Sequence, residues 1–430
     1  MSRDPLRRRS IVIFRPEPLE TCEARALLSG LPMTGMPGQA VEGASHHFEL
    51  APPIGHAHHN VSRHGRDHAH GHHRQPTGYA HPLLKVLPNA TPGPTGYSPT
   101  QIKTAYGFSQ LPTTNQGAGQ TIYIIDAYDD PTISSDLSYF SSYFGLPQMD
   151  GKNGDPTFTK ATPQGSPKTN SGWALEISLD VEWAHAIAPQ ANITLVEAAS
   201  NSNTNLYGAV DYAVNSGAKI VSMSFGGGDS SGELSLDSHF AIPGVSFVAS
   251  AGDSGGVVEY PSASPYVLSV GGTTLPLSGT ETAWSSGGGG PSAYESKPNY
   301  QVVYGVPGTT RGTPDVSYDA DPNTGVSVYD STRYNGQKGW FQVGGTSAGA
   351  PQWAALIALA DQGRSTPLTT ADLTSRTEYN AATGSTTYAS NYVDIISGNN
   401  GYPAGTGYDY ATGVGSPRAQ NLVPWLRSNA

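Results

Sequence analysis

The sequence predicts an α/β fold in which helices cover both faces of a mostly parallel central sheet, giving three layers. Two observations carry this expectation. Short, β-branched runs almost free of charge recur along the chain, as strands buried on both faces do. Helical patterns separate them, and strands alternating with helices build a parallel sheet through crossovers. Right-handed crossovers then set the strand C-terminal ends, and with them any site, along one edge.

In chain order, T-I-Y-I-I at Thr121–Ile125 predicts a buried strand ending at Asp126. A helix follows over Gly172–Ala186, a strand over Ile193–Val196 and a helix over Asn205–Ser216. Ile220–Met223 and Val245–Ala249 read as two further strands, and Ser347–Ala360 as a helix. The texture is uniform from residue 95 onward and shows no internal repeat, so 95–430 is expected to be one domain.

Upstream, residues 31–94 are rich in Pro, Gly and His, with 11 of the 13 histidines between His46 and His81. Such a segment buries too little apolar surface to fold alone and is expected to be a disordered linker. Its histidines would gain charge between about pH 7 and 5. Residues 1–30 carry Arg7–Arg9, then S-I-V-I-F and P-L-E-T-C-E-A-R-A-L-L-S. The apolar run is shorter than an ordinary secretory core, but the pattern resembles short leaders on exported bacterial proteins. The expectation is a secreted, extracellular protein.

Composition narrows the function classes. Charged residues are 13% of the chain, against 52 Gly and 34 Pro, which suits an exported, loop-rich hydrolase. A net charge of −11 without a basic stripe argues against nucleic acid. No apolar run approaches the 18 or so residues a membrane span needs. The single cysteine, Cys22, excludes an intrachain disulfide, so stapling falls to packing or metal.

Three motifs carry chemistry. G-G-T-S-A-G-A-P, Gly344–Pro351, precedes an apolar helical stretch and sets Ser347 at its N-terminus. Free N–H groups and the positive dipole end favour a developing oxyanion there; by itself the motif reads equally as a capped helix. Glu176 and Asp180 stand at i and i+4 on one helix face, a pattern usually solvated. Trp173, Leu175, Leu179 and Trp183 crowd this helix, so the pair is expected to be buried, to repel and to have raised pKa values. One carboxylate can then accept the serine proton while the other orients it. S-F-V-A-S-A-G-D-S-G-G ends a strand at Asp253, which is either a turn residue or, if protonated, a hydrogen-bond donor to an oxyanion.

These motifs resemble the sedolisins, serine-carboxyl peptidases with a subtilisin-like fold. The resemblance covers about 95–430. It includes Y-S-P-T-Q-I-K-T-A-Y-G-F, E-I-S-L-D, V-S-M-S-F-G, A-G-D-S-G, T-P-D-V-S-Y-D-A-D-P, G-G-T-S-A-G-A-P and the late G-Y-D-Y-A-T-G. It implies Ser347 as nucleophile, Glu176 as general base, Asp180 as its orienting partner and Asp253 as oxyanion-hole acid. Ser224, Phe225 and Gly226 fall at substrate-binding backbone. It also implies one structural Ca²⁺, held by the carboxylates of Asp394 and Asp409 and the carbonyls of Ile395, Gly405 and Gly407, a set of oxygens that suits the ion. A monomeric, acid-active endopeptidase acting on proteins or peptides follows. Sedolisins carry a long folded prosegment, whereas low-complexity sequence precedes the domain here, so folding without a pro-chaperone is expected. Two rival readings are a non-catalytic binding protein on the same scaffold and an ordinary Asp/His/Ser peptidase. The latter would use Asp126 and Ser347 with His185 or His239, neither of which sits in an H-G-T setting.

Overall fold

The computed structural model describes residues 78–87, 90–374 and 386–429. The expected leader and most of the expected linker lie outside them. The elements are β1 (His81–Pro82), β2 (Lys85–Val86), α1 (Pro99–Ala105), β3 (Thr121–Ala127), α2 (Ile133–Phe144), β4 (Phe158–Ala161), α3 (Ser171–Ile187), β5 (Asn192–Ala198), α4 (Asn203–Asn215), β6 (Ile220–Met223), β7 (Phe225–Gly228) and β8 (Ser246–Ser250). There follow β9 (Glu259–Tyr260), β10 (Leu268–Thr274), β11 (Thr282–Ala283), β12 (Gly290–Ser296), α5 (Asn299–Tyr304), β13 (Thr310–Thr313), β14 (Val316–Asp319), β15 (Val326–Tyr334), β16 (Gln337–Gly344) and α6 (Gly349–Asp361).

The main sheet has eight strands in the order β11-β10-β8-β6-β3-β5-β4, with β14 pairing β10. Every pairing in it is parallel except β10 with β11. Strand β3 feeds both layers of core: Ile122 and Ile124 pack into one cluster with α3 and α6, while Ile125 joins a second with α4. This is the expected three-layer arrangement, and every strand predicted from an apolar run is present within a residue or two of its expected ends.

Helix α3 begins at a good cap: Asn170 Oδ1 accepts from the N–H groups of Gly172 (3.0 Å) and Trp173 (3.2 Å). From Trp173 to Ile187 all its residues are buried, so it is a core helix rather than an amphipathic surface one. Helix α6 is buried along its whole length and packs on α3. These two helices bring residues 176–180 to residue 347.

The ordered structure extends N-terminal of the expected boundary at 95, which corrects the expectation of a disordered linker for its last part. β1 pairs antiparallel with β7, and β2 with β16. Backbone pairing on waiting edges orders this stretch, and composition carries no signal of that.

Candidate active site

Ser347 lies in a 3-10 turn, Thr346–Ala348, between the end of β16 and α6, and is fully buried. Gly345 precedes it at φ +98°, ψ 158°, a conformation that only glycine adopts readily. A Cβ there would also lie 2.3 Å from the Leu83 carbonyl oxygen and 2.7 Å from Asp253 Oδ2. Both groups therefore crowd the same face of the serine turn.

Glu176 and Asp180 are wholly buried on α3, as the crowded aromatic and aliphatic neighbours predicted. Asp180 Oδ1 accepts from Ser224 Oγ at 2.8 Å, and the same hydroxyl lies 3.4 Å from the Ser347 carbonyl. Burial first, then repulsion from Asp180 and Asp126, holds the Glu176 carboxyl well above its ordinary value. The Ser347 hydroxyl works against that shift, but its contact with Glu176 is looser than a hydrogen bond. In the ground state Ser347 Oγ instead lies 3.3 Å from the Ser224 carbonyl, leaving both Glu176 oxygens without a partner.

Asp126, at the C-terminal end of β3, is a third buried carboxylate of this cluster. It is pushed upward by burial, then by Asp180 and Glu197. Sequence reasoning places it at a strand end and uses it only in the rival triad. A signal for more exists, since a strand's C-terminal end in such a sheet faces the ligand crevice.

Asp253 follows β8 at the same sheet edge. Its Oδ1 accepts from Thr346 N–H at 2.8 Å and Thr346 Oγ1 at 3.0 Å, while buried Oδ2 has no partner. Burial raises it to about 7, against the lowering effects of these hydrogen bonds and Lys85. Glu259, in β9, is raised to about 8 by burial and then by Asp253. The short V-V-E-Y-P gives no hint of this neighbour.

The chain's own residues 81–84 run across the site. His81 pairs with Gly226 and Pro82 with Phe225. The Leu83 N–H donates to the Ser224 carbonyl at 3.4 Å, and the Leu83 carbonyl accepts from the Ser347 N–H at 3.0 Å. Ser224, Phe225 and Gly226 thus pair through backbone with the chain's own residues 81–83, the mode by which a strand adds to a sheet edge.

Neither rival histidine is here. His185 Nε2 lies 2.9 Å from the Pro147 carbonyl, and burial pushes the ring down to about 4. His239 Nδ1 lies 2.7 Å from Asp211.

The late acidic pair also comes together. Gly407 N–H donates to both Asp394 oxygens at 3.1 Å, and Gly405 N–H to Asp409 Oδ2 at 2.9 Å. Burial first, then charge on both carboxylates, raises Tyr304 and Tyr388. Two carboxylates on one glycine loop, with no ion pair to either among the described residues, fit a hard cation.

Ser347 thus stands on the turn into a buried helix, at the C-terminal edge of a parallel sheet and among buried carboxylates. Residues 167–415 match the Subtilase family. The chain is 34% identical over 391 residues to kumamolisin of Bacillus sp. (strain MN-32), covering 78% of this chain and 65% of that protein. It is 30% identical over 400 residues to sedolisin of Pseudomonas sp. (strain 101), covering 81% of this chain and 65% of that protein. The solved Pseudomonas sedolisin, described as a serine-carboxyl proteinase complexed with two molecules of pseudo-iodotyrostatin, superposes with a TM-score of 0.66 at 28% identity. That match covers 78% of this chain and 99% of the sedolisin chain. The chain therefore belongs to the subtilase family and has the subtilisin-like fold. It spans 65% of the length of these curated relatives.

Proposed function

We propose that this protein is a secreted, acid-active serine-carboxyl peptidase. The Leu83 carbonyl on the Ser347 N–H is the observation that best supports this reading. It sets a peptide carbonyl where an oxyanion would develop, with the flanking backbone paired as a substrate would be. Ser347 Oγ attacks the carbonyl carbon as its proton passes to Glu176, and Asp180 orients Glu176 while held by Ser224. The oxyanion takes the Ser347 N–H and a protonated Asp253, two preorganised donors in a dry site. Glu176 then gives its proton to the leaving amine, and water repeats the sequence on the acyl-enzyme. The acid range follows from Asp253, which donates to the oxyanion only while it is protonated.

The C-terminal pair, Asp394 and Asp409 with the carbonyls of Ile395, Gly405 and Gly407, is assigned to one Ca²⁺. Bound there, the ion would cross-link the loop without acting on substrate. Low charge and the leader-like N-terminus support export, which recovery of the protein from culture medium would check. Among the described residues no helix is long and apolar enough to cross a membrane.

The test is hydrolysis of a quenched peptide containing H-P-L-L-K at about pH 4, together with the mass of the chain after incubation. The protein should cut peptide and chain between the two leucines, and Ser347→Ala and Glu176→Gln should do neither. His185→Ala should remain active. Full activity of the parent at about pH 8 would rule out a protonated Asp253 as donor, and a dead His185→Ala would rule out the carboxylate base; Ser347→Ala matching the parent would leave a binding protein.

A further inference from the structure

A second carboxylate cluster lies outside the catalytic one, where the loop after β3 meets α2 and β15. One oxygen from each of Asp130, Asp136 and Asp330 lies within 4.8 Å of the others, and all three side chains are buried. That span is about twice a Ca²⁺–oxygen bond of roughly 2.4 Å. Hydroxyls fill the space between. Thr132 Oγ1 is 3.0 Å from Asp130 Oδ1, 2.7 Å from Asp136 Oδ2 and 2.9 Å from Thr332 Oγ1. Thr332 Oγ1 is in turn 2.9 Å from Asp130 Oδ1.

Each of these close oxygen pairs needs one hydrogen between them. The two threonines bring one each, so two of the four contacts go without. Independently, Asp330 Oδ2 and Glu182 Oε1, on wholly buried side chains, have no hydrogen-bond partner. Glu182 lies in the repulsive field of all three aspartates. The Lys160 ammonium donates to the Asp130 main-chain carbonyl at 2.7 Å, but its charge is shared by Asp129 and Glu197. Among the described residues no ion pair reaches the cluster.

We propose that Asp130, Asp136 and Asp330, with the hydroxyls of Thr132 and Thr332, form a binding site for a hard divalent cation, Ca²⁺. A donor set made only of oxygens suits that class of ion and offers nothing to a softer one. One cation resolves the missing hydrogens and the orphaned Asp330 oxygen together. Ser178, which stands between Glu176 and Asp180 on α3, reaches Asp130 Oδ2 at 3.4 Å. The ion would thus brace the β3–α2 loop and β15 against the helix that carries the catalytic acids.

The decisive measurement uses the full chain with Asp394→Asn, so that the C-terminal site does not contribute. It is freed of metal at pH 7 and titrated with CaCl₂, reading ion count by native mass spectrometry and Tm. We expect one ion bound and a rising Tm. Adding Asp330→Asn should abolish both, and adding Thr332→Val, which keeps side-chain shape, should weaken uptake at least about tenfold. If Asp330→Asn does not fold, the Thr332→Val midpoint decides. A Tm unmoved by Ca²⁺ overturns the proposal and leaves protons as what neutralises the cluster; so does uptake unchanged in the Thr332→Val protein. Neither result bears on whether Ser347 is a nucleophile.

Discussion

Replacing Asp253 by Asn isolates the part of the mechanism that depends most on pH. Thr346 N–H and Oγ1 both point at Oδ1, at 2.8 and 3.0 Å. These donors would fix the Asn carbonyl oxygen at Oδ1 and turn its NH₂ toward the unpartnered Oδ2 position. Asn would therefore donate there at every pH, whereas Asp253 donates only while protonated, below about 7. At pH 8 a group titrating at about 7 is roughly one-tenth protonated, so kcat/KM of the parent should fall about tenfold from its plateau on this account alone. Asp253→Asn should keep activity within about tenfold at pH 4 and show no fall between pH 6 and 8. Asp253→Ala, which removes the donor, should lose about 10²–10³ in kcat. The assay is kcat/KM for the quenched H-P-L-L-K peptide from pH 3 to 8. An unchanged alkaline limb in Asp253→Asn, or an Ala variant as active as the Asn variant, would refute the assignment of Asp253 as donor.

Three further outcomes follow from the same geometry. Gly345→Ala must place a side chain at φ +98° against the Leu83 carbonyl and Asp253; it should cost at least about 1–3 kcal/mol, read as a fall in Tm. Arg311 and Asp315 form a fully buried bidentate pair, at 2.8 and 2.6 Å. Asp315→Ala removes the carboxylate that balances the buried guanidinium charge and should cost about 3–5 kcal/mol by denaturant unfolding, whereas a loss under about 1 kcal/mol would show the pair to be dispensable. Stability should decline with rising pH, because Asp253 and Glu259 titrate at about 7 and 8 in the fold, above their ordinary values of 3.8 and 4.5. The unfolded chain releases those protons first, so between about pH 4 and 8 it binds fewer than the native state and ΔG of unfolding falls as pH rises. Combining Asp253→Asn with Glu259→Gln should make the fall of Tm with pH shallower over that window, the other buried carboxyls keeping the rest; an unchanged slope would place its source elsewhere.

The layers and the chemistry-bearing side chains can be read from the residues alone. Strands such as Ile220–Met223 are legible because burial on both faces leaves a run with no polar alternation. Glu176 and Asp180 are legible as a buried pair because the residues around them on α3 are too apolar for a surface helix. Which carboxylates meet is settled by packing in three dimensions. Asp126, Asp180 and Glu176 come from β3 and α3, and Asp130 meets Asp330 across about 200 residues of chain. No local period records such encounters, since they depend on strand order and helix packing. Residues 81–86 escape a reading by composition for the same reason. Their order comes from backbone hydrogen bonds to the edges of β7 and β16, and main-chain pairing leaves almost no mark on side-chain composition.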